Sequence, residues 1–158
     1  MKKIDIYTDG ACSGNPGAGG YGAVLLYSGK RKELSAGYKC TTNNRMELLA
    51  VIQGLKELKE SCEVNLYSDS KYIVDAVNKG WLLKWKNNNW MRNKSEKALN
   101  VDLWKQLIDL LETHKVEFIW VKGHANNIEN ERCDTLARTA IQNKNLLNDE
   151  FYNKNIDR

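Results

Sequence analysis

The sequence contains a single proline, which argues against a proline-rich linker between domains. Its four cysteines, Cys12, Cys40, Cys62 and Cys133, are widely spaced and form no Cys-x-x-Cys pair, so neither a zinc site nor a disulfide framework is indicated. No apolar run is long enough to cross a bilayer, and the first ten residues become acidic and polar too early for a signal peptide. We therefore expect a cytoplasmic protein that does not bind a membrane.

The 158 residues are an ordinary length for one domain with its own core. The net charge is +4, but six basic residues and one acid lie between Lys79 and Lys97, a local charge of +5. Trp81, Trp85 and Trp90 lie in this basic segment, residues 79–97. A small satellite core covered by lysines would explain the tryptophans but not the local charge. We therefore predict a protrusion that binds nucleic acid through basic and aromatic side chains.

Hydrophobic periodicity predicts strands over residues 3–8, 21–27, 32–39, 64–67 and 115–121. It predicts helices over residues 44–59, about 70–79, 81–86, 101–113 and 127–142. Glycine-bearing turns separate the first three strands, which favours an antiparallel meander. The element order is typical of a mixed α/β (α+β) fold, a mixed sheet covered by helices. We expect residues 1–142 to form the domain and residues 143–158 to be a frayed tail.

Three acidic residues have ordinary structural explanations when each is taken alone. Asp9 follows the first strand in Thr-Asp-Gly, which is typical of a turn, and Asp69 stands before a helix, where it could be the N-cap. Glu47 lies in the first turn of its helix, where a negative charge suits the helix dipole. Asp134 differs because it shares the inward-facing stripe of its helix with Ala137, and a carboxylate near a core is costly unless it is paired or bound to a metal.

These four carboxylates could converge at one rim of the sheet, although composition and spacing do not establish it. Converging acids would repel one another and raise their own pKa values unless cations neutralised them. Oxygen ligands suit Mg²⁺ or Mn²⁺, and two ions about 4 Å apart are the known arrangement for in-line displacement at phosphorus. His124, in Val-Lys-Gly-His-Ala, is either a solvated loop residue or an imidazole that moves a proton at this site.

The glycine-rich stretch from Gly10 to Gly22 has neither the ending of a P-loop nor the context of a dinucleotide fingerprint. Its glycines and Asn15 fit a loop whose backbone approaches a ligand, or simply a tight connection. The stretch therefore excludes two nucleotide-binding motifs without assigning a function.

Four segments closely resemble the motifs of bacterial type 1 ribonuclease H: TDGACSGNPGAGGYGAV, TTNNRMELLA, YSDSKYI and VKGHANNIENERCDTLA. The likeness runs from about Ile4 to Ala140 in the family's order and spacing. It implies the ribonuclease H fold, a five-stranded mixed sheet flanked by helices, with a basic protrusion. It also implies a monomeric, metal-dependent endoribonuclease that hydrolyses the RNA strand of RNA–DNA hybrids and leaves 5′-phosphate and 3′-hydroxyl ends.

The resemblance assigns a role to each candidate catalytic residue. Asp9 would bridge two Mg²⁺ ions, with Mn²⁺ as a substitute, and Glu47 would serve the leaving-group side and sense a substrate 2′-hydroxyl. Asp69 and Asp134 would complete the site around the metal that activates water. His124 would assist proton movement or product release.

The resemblance also implies which residues contact the hybrid. The positions that match contacts to RNA riboses or bases are Cys12, Asn15, Asn43 and Asn44. Thr42 and Asn100 match a pocket for a DNA phosphate. Trp81 and Trp85 match the channel for the DNA strand, and Lys84 and Lys86 would add sequence-independent attraction to the nucleic-acid backbone. Two departures stand out: Cys40 occupies a position where several relatives carry Arg, and Lys71 one where Gln is common. We expect Cys40 to weaken the phosphate pocket and Lys71 to add a contact to the nucleic-acid backbone.

Two alternatives remain open. The chain could be a DNA-cutting or strand-transferring relative on the same fold, against which TTNNRMEL and the basic segment argue. It could instead be a non-catalytic hybrid-binding module, against which the four retained carboxylates argue.

Overall fold

The computed structural model describes residues 1–123 and 125–155. It contains one five-stranded sheet, formed by β1 (Lys2–Ser13), β2 (Gly17–Tyr27), β3 (Lys30–Thr41), β4 (Cys62–Ser68) and β5 (Lys115–Trp120). The strand order is β3-β2-β1-β4-β5. The first three strands form an antiparallel meander, and β4 and β5 join β1 in parallel. The predicted five-stranded mixed sheet is therefore confirmed.

Within the described residues, six helices accompany the sheet: α1 (Asn43–Lys56), α2 (Lys71–Asn78), α3 (Trp81–Asn87), α4 (Val101–Thr113), α5 (Ile128–Ile141) and α6 (Glu150–Asn155). The neighbouring β2 residues Gly19 and Gly20 face Met46 of α1 and Ala137 of α5, respectively. Because successive strand residues point to opposite faces, α1 and α5 cover opposite faces of the sheet. No helix in the described ranges is long and apolar enough to cross a membrane.

Helix α1 forms the centre of the main core. Thr42 caps the helix by accepting a hydrogen bond from the backbone N–H of Arg45 at 3.3 Å. The apolar spacing seen in the sequence places Leu48, Ile52 and Leu55 fully inside, against the sheet and α4. The observed helix begins one residue before the predicted start and ends three residues before the predicted end, at Lys56.

Helix α5 lies directly on a stripe of glycines. A Cβ at Gly20 would lie 2.3 Å from the carbonyl oxygen of Ala137, and one at Gly22 would lie 2.4 Å from that of Cys133. Both glycines belong to β2. The glycine-rich stretch is therefore largely strand, and the expectation of a loop or tight connection is wrong for most of it. The close approach brings α5, and with it Asp134, down onto the sheet.

The expectation that residues 143–158 form a frayed tail is wrong for residues 143–155. Leu147 donates its backbone N–H to the carbonyl of Gly37 and accepts from the N–H of Lys39, both at 2.8 Å, so the tail pairs with the edge of β3. Helix α6 follows. Backbone pairing at a sheet edge needs no periodic apolar side chains, which is why the hydrophobic pattern did not reveal it. Residues 156–158 lie outside the described residues, and a domain boundary at residue 142 stays a prediction.

A buried ion pair anchors the tail to α1. The Oδ2 atom of Asp149 accepts hydrogen bonds from Thr41 Oγ1 and from Arg45 Nε, both at 2.7 Å. Its Oδ1 atom accepts from a terminal nitrogen of Arg45 at 3.0 Å and from the backbone N–H of Tyr152 at 3.3 Å, which caps α6. On its other side, the Arg45 guanidinium makes two hydrogen bonds to Asp102 at 2.9 and 2.7 Å. One arginine thus joins the starts of α1, α4 and α6.

Candidate active site

The parallel pairing of β1 and β4 brings two acids together. Thr8 pairs with Ser68, so the next residues, Asp9 and Asp69, emerge side by side at one edge of the sheet. Strand β1 does not end at Asp9, because it continues to Ser13 with Asp9 paired opposite Gly22. The interpretation of Asp9 as a turn residue is therefore wrong. Its carboxylate is held by a strand that is paired on both sides.

Asp69 is not the N-cap of α2. Ser70 is the cap, since its side chain accepts a hydrogen bond from the N–H of Ile73 at 3.3 Å. The N–H of Ser70 in turn donates to Ser68 Oγ at 3.0 Å. The capping prediction for Asp69 is wrong, and its carboxylate is left to face the cavity beside Asp9.

Glu47 reaches the same cavity because α1 packs tightly against Gly10. A Cβ at Gly10 would lie 2.4 Å from the backbone nitrogen of Glu47 and 2.6 Å from the carbonyl carbon of Met46. The N–H of Gly10 donates to Asp9 Oδ1 at 2.9 Å and also to Glu47 Oε1. One backbone amide therefore orients two carboxylates, and only glycine permits this approach.

One carboxylate oxygen from each of Asp9, Glu47 and Asp69 lies within 4.8 Å of the other two. They line a cavity of about 240 Å³ that we call the carboxylate cavity. Asp134 lines the same cavity, and its Oδ2 atom accepts a hydrogen bond from Arg138 Nε at 2.9 Å. The structure therefore brings three of the four predicted acids into one group and places the fourth at its side.

Burial changes the acidity of this group. It raises the pKa of Asp9 to about 7, although a hydrogen bond with Glu47 acts in the opposite direction and the charges of Asp69 and Asp134 add to the increase. Burial also raises the pKa of Glu47 well above its usual value, and the charge of Asp9 and its hydrogen bond add to it. Cations would offset this cost, and a cavity lined by converging carboxylate oxygens fits hard divalent ions such as Mg²⁺ or Mn²⁺.

The loop after β5 touches the site through Gly123. A Cβ at this glycine would lie 2.9 Å from Asp69 Oδ2. His124, the next residue, lies outside the described residues, so its role in proton movement stays a prediction.

Six of the predicted substrate contacts lie around the start of α1. The Oδ1 atom of Asn15 accepts a hydrogen bond from the N–H of Asn43 at 3.1 Å, so the β1–β2 turn is tied to the helix start. Cys12 Sγ lies 3.6 Å from the carbonyl oxygen of Thr41. Asn100 accepts from Arg45 at 3.4 Å. The members of this group are Cys12, Asn15, Thr42, Asn43, Asn44 and Asn100.

The predicted contacts of the basic segment lie on α3, away from the residues that line the carboxylate cavity. Trp85 is half-buried and packs edge-on against Trp104 of the main core, with ring centroids 5.8 Å apart, so it joins the main core rather than a satellite core. Trp81 is 40% exposed, with the ammonium of Lys79 5.4 Å from its ring. The exposed basic side chains on this helix are Lys84 and Lys86. The segment thus combines packing with a free basic and aromatic surface.

Three residues that the sequence did not single out support the site. Trp120 Nε1 donates to the backbone carbonyl of Asp69 at 3.2 Å, and the ammonium of Lys71 lies 4.8 Å from the Trp120 ring. Arg45 and Asp149 tie the tail to the start of α1. An arginine next to Asn-Asn was visible in the sequence, but its partners, 57 and 104 residues away, were not.

A family model described as RNase H matches residues 1–142. The chain belongs to the ribonuclease H family. It is 65% identical over 146 residues to the Ribonuclease H of Desulforamulus reducens, with 92% of each chain covered. The ribonuclease H fold implied by the motifs is confirmed, and membership of this family implies a dependence on divalent metal ions, for which the acidic cluster supplies ligands.

Solved ribonuclease H structures resemble the chain as well. The crystal structure of LC9-RNase H1, a type 1 RNase H with the type 2 active-site motif, superposes with a TM-score of 0.80 at 32% identity, covering 90% of this chain and 73% of that one. LC11-RNase H1 in complex with an RNA/DNA hybrid superposes with a TM-score of 0.63 at 26% identity, covering 88% of this chain and 96% of that one.

Proposed function

We propose that this ribonuclease H is an endonuclease that hydrolyses the RNA strand of RNA–DNA hybrids and leaves 5′-phosphate and 3′-hydroxyl ends. The observation that carries the proposal is the group formed by Asp9, Glu47 and Asp69, in which one carboxylate oxygen from each residue lies within 4.8 Å of the other two. Relatives named Ribonuclease H and a structural neighbour bound to an RNA/DNA hybrid support the choice of substrate.

The residues proposed to hold two Mg²⁺ ions, or Mn²⁺ in their place, are Asp9, Glu47, Asp69 and Asp134. When bound, such ions lower the pKa of a water molecule and neutralise charge on the leaving oxygen. Asp9 stands on the central strand between Glu47 and Asp69, which suits a shared ligand. Glu47 serves the leaving-group side, Asp69 and Asp134 serve the water side, and His124 moves a proton.

The hybrid is proposed to lie across the start of α1 and over the basic segment. The RNA strand contacts Cys12, Asn15, Asn43 and Asn44, and the DNA strand contacts Thr42, Asn100, Trp81, Lys84, Trp85 and Lys86. The ammonium of Lys71 lies over the ring of Trp120, which in turn donates a hydrogen bond to the backbone carbonyl of Asp69. From this position Lys71 adds a contact to a phosphate. A monomeric state and a cytoplasmic location stay predictions from the sequence.

Cleavage of a strand-labelled hybrid in Mg²⁺ tests the proposal. The wild-type protein should cut the RNA strand, and Asp9→Asn should lower the rate by at least about 10³-fold, because the shared ligand loses its charge. Asp5→Asn is the matched control, since Asp5 lies on the same strand but pairs with Asn65 outside the cavity. An intact hybrid with the wild-type protein, or equal rates for wild type and Asp9→Asn, would contradict the proposal.

The same assay separates the alternatives. Faster cleavage of duplex DNA than of hybrid would indicate a DNA-cutting relative. Tight binding of hybrid without metal-dependent turnover would indicate a binding module.

A further inference from the structure

A second cleft, of about 340 Å³, lies between the start of α1, the start of α4 and α6. Its lining includes four amide or hydroxyl side chains already predicted to contact the hybrid and two aromatic side chains from the tail, together with Arg45, Leu99 and Asn155. The residues that matter here are Asn15, Thr42, Asn44, Asn100, Phe151 and Tyr152.

We propose that α6 is part of the hybrid-binding surface, with Phe151 and Tyr152 contacting the sugar–phosphate backbone of one strand. This inference rests on the proposed function and extends the substrate site to a helix that lies beyond the residues matched by the family model, 1–142.

The cleft lies next to the carboxylate cavity. Asn43 lines the carboxylate cavity and the adjacent Asn44 lines the cleft. Only the first turn of α1 separates the two, since Glu47 lies one turn further along the same helix. A polynucleotide held at the carboxylates therefore has a path over the helix start and into the cleft. This proximity favours a strand of the substrate over a separate small molecule as the occupant.

The chemistry of the wall suits sugars and phosphates. Phe151 is 45% exposed, with the guanidinium carbon of Arg45 5.4 Å from its ring. That guanidinium is engaged by Asp102 and Asp149, so donors to a phosphate must come from neutral groups. Tyr152 offers a hydroxyl donor, and aromatic rings offer a stacking surface that does not depend on sequence. An amide-lined cleft with an aromatic wall is therefore suited to a nucleic-acid backbone.

The wall is held in a fixed position. Asp149 caps α6 through the N–H of Tyr152 and bonds to Thr41 and Arg45, beside the amide residues of the cleft. A preformed wall spares the ordering cost that a mobile segment would incur on binding. The tail therefore acts on substrate binding rather than on the chemical step.

Steady-state kinetics on hybrid test the inference. In the double variant Phe151→Ala/Tyr152→Ala we expect KM to rise about fivefold or more while kcat is unchanged, because stacking and hydrogen bonding to the bound strand are lost. Leu147→Ala is the matched control, since Leu147 lies in the same segment, is 51% exposed and keeps its backbone pairing with β3. An unchanged KM in a double variant with a wild-type circular dichroism spectrum would overturn the inference.

Photo-crosslinking gives an answer that does not depend on turnover. Tyr152 is replaced by p-benzoylphenylalanine, and the protein is irradiated with a hybrid whose two strands carry different dyes; the same replacement at Leu147 is the control. Crosslinking from position 152 well above that from position 147 is expected, and the dye identifies the strand. Equal crosslinking from both positions would refute the inference. Failure of the wild-type protein to cleave hybrid would instead refute the proposed function.

Discussion

Replacing Asp149 by alanine should destabilise the protein markedly, although this residue lies close to the C-terminal end of the sequence. Its carboxylate is 6% exposed and makes three hydrogen bonds to Thr41 and Arg45, and a fourth that caps α6. Arg45 is itself 3% exposed. The substitution would therefore leave a buried cation with one anionic partner fewer.

The size of the effect follows from these contacts. Removing one partner of a buried ion pair costs about 3–5 kcal/mol, and losing an N-cap costs about 1 kcal/mol. Arg45 keeps both hydrogen bonds to Asp102, which reduces the loss. We expect a decrease of about 3 kcal/mol in the free energy of unfolding, or a fall in Tm of roughly 6–12 °C for a chain of this size. Asp149→Asn should lose less, because an amide oxygen can still accept from Thr41 or cap the helix.

Urea unfolding followed by circular dichroism measures this difference, with Glu150→Ala as the control. Glu150 is the next residue, is exposed and should change stability by less than about 0.5 kcal/mol. A loss below about 1 kcal/mol for Asp149→Ala, or equal losses for Asp149→Ala and Glu150→Ala, would refute the anchoring of the tail by a buried ion pair.

Three further predictions concern individual residues. In an NMR titration of the metal-free protein, the Asp9 carboxyl should titrate near pH 7. Saturating Mg²⁺ should move this midpoint several pH units lower, because the proton and the ion compete for the same oxygens. An unmoved midpoint would contradict metal binding at Asp9. Gly123→Ala should lower the cleavage rate about tenfold with an unchanged Tm, since its Cβ would press on the Asp69 carboxylate and displace it. His114 is buried and accepts a hydrogen bond from the N–H of Cys62 at 3.1 Å, and burial lowers its pKa. The neutral imidazole therefore stabilises the fold fully above about pH 6.5, and this contribution is lost as the pH falls towards the folded-state pKa. Urea midpoints of His114→Phe should therefore depend less on pH in that range than those of the wild type.

Local patterns were enough to predict most of the fold. Alternating apolar residues predicted the strands, and the apolar stripe of α1 placed that helix against the sheet. Helical spacing alone also marked Asp134 as unusual, because it put a carboxylate on the inner side of α5. These predictions succeeded because burial acts on neighbouring residues with a fixed period.

The convergence of Asp9 and Asp69 could not be predicted in this way. It depends on the parallel register of Thr8 with Ser68, a pairing between residues 60 positions apart. Local rules instead favoured a turn at Asp9, because Asp-Gly is a strong turn signal. Pairing with β2 overrides that signal, since the strand gains a full ladder of hydrogen bonds through Ser13. Only the family motifs indicated that the two acids belong to one site.

The origin of the raised pKa values changes the physical account of the site. Mutual repulsion was the expected cause, but burial contributes more for both Asp9 and Glu47. Because the folded-state pKa of Asp9 exceeds its unfolded value, the metal-free protein binds the extra proton only when folded, and this contribution to stability is lost as the pH rises from about 4 to 7. Divalent ions would remove that loss by taking the place of the proton. Metal binding should therefore stabilise the fold more at pH 8 than at pH 5. A site evolved for catalysis thus also sets how the stability of the fold depends on pH.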